Sequence, residues 1–179
     1  MELSRHRLDG LAFAAALAAL GVATLFFLAE RNGAAVVMCS ILLSGLVAAR
    51  AVRVPGRVLL PVALGLAVIL WMVWVDPPAG PRKTSALAHA GGGALAGWAL
   101  ATTLRARLSW PAAALAAIIG VLVLAGVWEV AELVGDRVLD TALIPDRRDS
   151  ALDVFFGGIG GMLGVAFAAA VAPLGTRRR

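Results

Sequence analysis

LSWPAAALAAIIGVLVLAGVWEVAELVGDRVLDTALIPDRRDSALD, residues 108–153, is uncharged as far as Trp128 and then carries Glu129, Glu132, Asp136, Asp140, Asp146, Asp149 and Asp153. At 1.5 Å per residue the uncharged part makes a helix of about 30 Å, the thickness of a bilayer's hydrocarbon core. Its end is where the charge begins, so the stretch predicts both a membrane span and a polar rim at one side of it. The rim holds seven of the chain's eleven acidic residues. Charges at a membrane boundary are costly to place, which makes this rim the candidate for function.

The rest of the chain repeats the apolar half of that pattern. Uncharged runs cover 11–29, 33–49, 58–75, 84–104, 108–128 and 154–172, each near the length that crosses hydrocarbon. With 61% apolar residues, 15% charged residues and a mean hydropathy of +0.91, the composition is that of an integral membrane protein. The expected fold is all-α, a single polytopic bundle of six transmembrane helices over residues 1–179, with no separate soluble domain. Pro55, Pro77, Pro78, Pro81, Pro111 and Pro145 fall in connections or at helix starts, where a missing N–H does least harm. Arg5, His6 and Arg7 before an apolar run imitate a secretory signal. The run from Leu11 to Ala29 is too long for one and reads as an uncleaved first helix.

Orientation follows from the basic residues. With the N-terminus inside, cytoplasmic segments hold Arg5, Arg7, Arg50, Arg53, Arg57, Arg105, Arg107, Arg177, Arg178 and Arg179, against Arg31, Arg82, Lys83, Arg137, Arg147 and Arg148 outside. The excess predicts both termini in the cytoplasm and the acidic rim facing out. The net charge of +5 is spread in these short clusters, so it serves topology and not nucleic-acid binding. The single cysteine, Cys39, lies in an apolar run and reads as packing.

Glu129, Glu132, Asp136 and Asp140 share one helix face, and Asp149 and Asp153 repeat the four-residue spacing at the start of the sixth helix. Glu129 stands at the hydrocarbon edge. His89, about one and a half turns into the fourth helix, is expected at a similar depth, since that helix starts at the outer face. One His with several carboxylates suits a divalent cation such as Mg, Mn, Ca or Zn, or a proton shuttle. The metal ligands expected are His89, Glu129, Asp149 and Asp153. No HExxH, paired His or cysteine ligand is present, which excludes a zincin-type site. Ser85 and Ser150 lack a GxSxG context, and Ser150 reads as a residue that caps or supports the start of the sixth helix, with Asp149 as the competing cap. Gly93 with Gly97, Gly157 with Gly161 and Gly160 with Gly164 form small-xxx-small rows, read as close helix packing, with a lipid-tail groove as the alternative.

The segment RRDSALDVFFGGIGGMLG resembles the ending of the VanZ-like membrane proteins: Arg147, Ser150, Asp153, Gly160 and Gly164 fit that pattern, and Glu129 matches the family's acidic position. The region of Lys83 and His89 is similar to its basic residue and helix-opening histidine. The family's usual Asn after the Asp is Gly157 here and its usual Gln after the Glu is Glu132, as in a related branch. Asp146, Asp149 and Asp153 with WEVAE also resemble the YjdF-like inner-membrane proteins. The likeness covers about residues 76–165. It implies a bacterial inner-membrane protein of the cell envelope, in one branch tied to tolerance of glycopeptides, with no established reaction. Arg147, Ser150, Asp149 and Asp153 are the expected binding residues.

Three functions are compatible with these residues. The rim binds an envelope lipid-linked or metal-bridged ligand; or it is a metal-assisted hydrolase or transferase of an envelope lipid, with His89, Glu129 and Glu132 catalytic; or it serves a cation- or proton-coupled transporter. Convergence of His89, Glu129, Glu132, Asp149 and Asp153 on one point is the observation that separates a site from a solvated rim.

Overall fold

The computed structural model describes the backbone of residues 2–76, 81–139 and 147–171, and their side chains except for 2–5, 81, 82, 139 and 147–149. It is all-helical over these residues: α1 (Glu2–Ala29), α2 (Gly33–Ala51), α3 (Gly56–Trp74), α4 (Pro81–Leu104), α5 (Trp110–Leu139) and α6 (Arg147–Ala170). Five of the six contain a segment long and apolar enough to cross a membrane: His6–Ala29, Gly33–Ala51, Gly56–Trp74, Trp110–Val138 and Ser150–Ala170. Leu25, Val68, Leu115, Val123, Leu163 and Phe167 are each more than half exposed. A surface carrying such residues on every helix calls for an apolar solvent, so the chain is a multi-pass membrane protein.

The expected runs correspond one to one with the helices, with shifted ends. α5 begins at Trp110 and continues well beyond Trp128, as the acidic stripe predicts, and α6 starts at Arg147, before the charges instead of after them. Ser150 and Asp149 therefore lie inside the first turn of α6. The cap role is corrected on that ground for both, and Ser150 keeps the supporting place in the first turn.

Two three-helix groups pack side by side. In the first, α1 lies between α2 and α3 around Leu20, Phe27, Met38, Cys39, Leu59 and Leu70. Cys39 is fully buried, as expected. At its Gly56 end Arg50 of α2 pairs with Asp9 of α1 at 3.0 Å, while Asp9 also accepts the Arg57 N–H of α3 at 3.3 Å. In the second group, α4 packs on α5 and α6, and it also touches α3 of the first group. A helix covered by three neighbours has little lipid to satisfy, which explains why α4 is the least apolar of the six.

α1 and α2 both end in an unusual way. Arg31 donates to the Leu28 carbonyl and Asn32 to that of Phe27; Arg53 donates to Arg50 and Val54 to Ala49. These are the two paired bonds of a Schellman C-terminus, with arginine where glycine usually stands, at φ 56° for Arg31 and 69° for Arg53. The left-handed conformation costs a residue with a Cβ about 1 kcal/mol. Arg31→Gly is accordingly expected to raise stability by up to ~1 kcal/mol, measured as a higher melting temperature in detergent, because the bonds remain and the strain goes.

Candidate functional site

The α4–α6 seam is built backbone on backbone. A Cβ placed on Gly93 would strike the backbone of Gly157, one on Gly97 that of Gly161, one on Gly160 that of Ala90, and one on Gly164 those of Ala94 and Trp98. The glycine rows are packing surfaces, as read from their spacing. They also fix the register. Gly97 meets Gly161, Gly93 meets Gly157, and the next four-residue step toward the helix starts brings His89 to Asp153.

α5 runs the other way in the same steps. Val121 lies on Gly161, Ala125 on Gly157, and the next step brings Glu129 to the level of Asp153. One imidazole and two carboxylates from three helices thus meet at a single depth. His89 Nδ1 lies 3.2 Å from Asp153 Oδ1, and His89 Nε2 lies 3.5 Å from Glu129 Oε1. All three side chains are largely buried, with Asp153 6% and Glu129 9% exposed. One donor atom from each falls within a sphere where all lie within 4.8 Å of one another.

Ser85, one turn before His89 on the same face of α4, completes the cluster. Its hydroxyl is 3.2 Å from both oxygens of Asp153, and its carbonyl lies 3.0 Å from His89 Nδ1. The four-residue spacing from His89 is the sequence signal for Ser85, and a missing GxSxG context does not bear on that role. As a nucleophile it is badly placed. Its Oγ approaches His89 on Nδ1, the nitrogen that Asp153 already holds, whereas an acid–base–nucleophile triad needs the acid and the nucleophile on opposite ring nitrogens. The arrangement instead sets a carboxylate against each ring nitrogen of His89, Asp153 at Nδ1 and Glu129 at Nε2.

Glu132 shares the face of Glu129 and interacts electrostatically with Glu129, His89 and Asp153, but its carboxylate accepts the indole N–H of Trp128 at 2.7 Å. Asp136, next in the stripe, is half-buried. The expected convergence therefore holds for His89, Glu129 and Asp153, with Glu132 beside them. Ser150 is half-buried one turn before Asp153. The side chains of Arg147 and Asp149, and all of Asp140 and Asp146, lie outside the described residues.

The cluster sits about 28 Å along α5 from Trp110 and about 12 Å along α4 from Pro81. On the Trp110 side of it the three-helix seam is closed by Ala101, Ala117, Val165 and Ala168. On the other side α5 continues with Glu132 and Asp136. An apolar groove of about 640 Å³ lies between α3, α4 and α6, lined by Gly65, Ile69, Gly91, Trp98, Gly164 and Phe167. Its α4 residues lie roughly half a turn round the helix from His89, so the groove does not open onto the cluster. No family model, curated protein or solved structure matches the chain.

Proposed function

We propose that this is a multi-pass protein of the bacterial inner membrane that binds a divalent cation between His89, Glu129 and Asp153, and through it the anionic group of an envelope lipid-linked ligand. The observation carrying this reading is the meeting of three metal-type donors, one from each of three helices, in a largely buried position. A carboxylate in such a place is a burden on the fold unless a cation offsets it. Bonds of about 2.1 Å to one ion in tetrahedral geometry put donors about 3.4 Å apart, so the three donors, now within 4.8 Å of one another, would draw in by about an ångström around the ion.

The location supports the ligand class. α4 and α6 both begin at this side, so their positive dipole ends and the exposed Lys83 favour an anion just above the cation. Trp71, Trp74 and Trp128 belong to the same end, as indoles at a lipid headgroup level do. The likeness to the VanZ-like proteins, with its link to glycopeptide tolerance, points the same way through Asp153, Gly160 and Gly164. A second reading, a proton- or cation-coupled transporter, draws on the carboxylate at each ring nitrogen of His89. The closed seam below the cluster opposes it. For an enzyme the same cation would act as Lewis acid, with Glu129 or Glu132 as base.

Six spans are the natural extension of the five long apolar helices. α4 runs antiparallel to both α3 and α5, with Leu95 on Gly65, Ile69 on Gly91 and Leu100 on Gly120, which supports a sixth crossing by α4 between two like-directed helices. The basic residues then favour cytoplasmic termini and an outward site. A cysteine at the exposed Asp76 is expected to react with an impermeant reagent from outside, and one at the exposed Arg53 only from inside. The reverse pattern would turn the site inward. The cation itself is tested by melting the detergent-solubilised chain with and without Mn²⁺ or Zn²⁺, where concentration-dependent stabilisation is expected.

A further inference from the structure

We infer that Glu132 is a latched fourth ligand of this cation site, held aside by Trp128 until an ion arrives. The inference rests on the cation reading above and adds to it a moving part and a side of entry. Glu132 lies three residues after Glu129, on the same face of α5, where neighbouring side chains are about 5–6 Å apart at their bases. It already feels His89, Glu129 and Asp153 electrostatically. Its carboxylate is nonetheless turned to the Trp128 indole, and the 2.7 Å bond is its one described hydrogen bond.

The reason for the latch is charge. Glu129, Asp153 and Glu132 around a single imidazole are one more carboxylate than His89 can bridge, since its two nitrogens already face Asp153 and Glu129. With no ion present the third carboxylate is repelled toward a neutral donor, and Trp128 supplies one. A divalent cation reverses the balance: a fourth oxygen becomes attractive, and Glu132, one turn beyond Glu129 on the same face, turns from Trp128 toward it. The ion then enters from the side of Glu132 and Asp136, because the opposite side is closed by Ala101, Ala117, Val165 and Ala168.

A latch that competes with the ion and a ligand that binds it give opposite signs in two adjacent variants. Trp128→Phe removes the competing donor and keeps an aromatic ring against the core of the first helix group, so the full-length protein in detergent is expected to bind Mn²⁺ or Zn²⁺ about tenfold more tightly. Glu132→Gln removes a ligand and is expected to bind the same ions about tenfold or more weakly. Ion titration of the parent should also change tryptophan emission, and Trp128→Phe should abolish that change. If both variants leave affinity unchanged, or both weaken it, Glu132 and Trp128 form a structural pair and the latch is overturned while the cation site stands. If the parent binds neither ion, the cation reading fails and the latch with it. Should Glu132→Gln not be recovered folded, Trp128→Phe decides alone, since it leaves every proposed ligand in place.

Discussion

Gly160→Ala is expected to cost ~3 kcal/mol, the upper part of the range for overpacking, and to lower the melting temperature in detergent by roughly 6–12 °C. The added methyl would meet the carbonyl of Ala90, and a backbone carbonyl inside a helix cannot step aside as a side chain does. α4 and α6 would have to separate over their length, with Gly93, Gly97 and Gly164 losing their partners at the same time. The control is Gly126→Ala on α5, where a Cβ meets nothing within 4 Å. Without a clash only the intrinsic preference of a helix for alanine remains, a gain of up to about 1 kcal/mol.

The consequence reaches the site. Because the glycine steps set the register that brings His89 to Asp153, Gly160→Ala should also abolish ion-dependent stabilisation, whereas Gly126→Ala should keep it. Equal melting of the two variants would mean that α6 faces lipid at Gly160 and that the close seam is wrong.

The spans were legible because the physics that selects them is averaged over about 20 residues: an uncharged run of that length has one stable form in hydrocarbon. The shared depth of His89 and Glu129 was legible too, because alternating helix directions turn sequence distance from an interface into depth. Local chemistry was harder to read. Asp9 precedes the first uncharged run and looks like one more terminal charge, yet it gathers Arg50 and the Arg57 N–H across three helices, a pairing that only the packed bundle brings within reach. Arg31 and Arg53 occupy glycine's usual conformation, so no glycine announced those helix ends. Ser85 was hidden because a serine in a membrane helix usually bonds its own helix's carbonyls, as Ser40 and Ser44 do. Glu132 lies on the face predicted for it, but the side chain's turn toward Trp128 depends on rotamer and charge, which spacing does not encode.

Glu129→Gln is expected to separate function from fold. The substitution keeps the shape of the side chain and removes a largely buried negative charge, so the variant should melt within a few degrees of the parent, or above it, in ion-free detergent. With Mn²⁺ or Zn²⁺ at about a hundred times its dissociation constant, the parent should gain ~2.7 kcal/mol, or roughly 5–10 °C. The variant should gain almost nothing, because the amide supplies a poor ligand opposite His89 Nε2. His89→Gln is the complementary case: it removes the group that links Glu129 to Asp153, so in the absence of ions it should be less stable than the parent, and added ion should recover part of that loss through the carboxylates that remain. If Glu129→Gln unfolds the protein and no ion stabilises the parent, Glu129 is a structural partner of His89 and the site loses its claim to a cation. A charge this close to hydrocarbon is held either by its neighbours or for a ligand, and these two variants tell which.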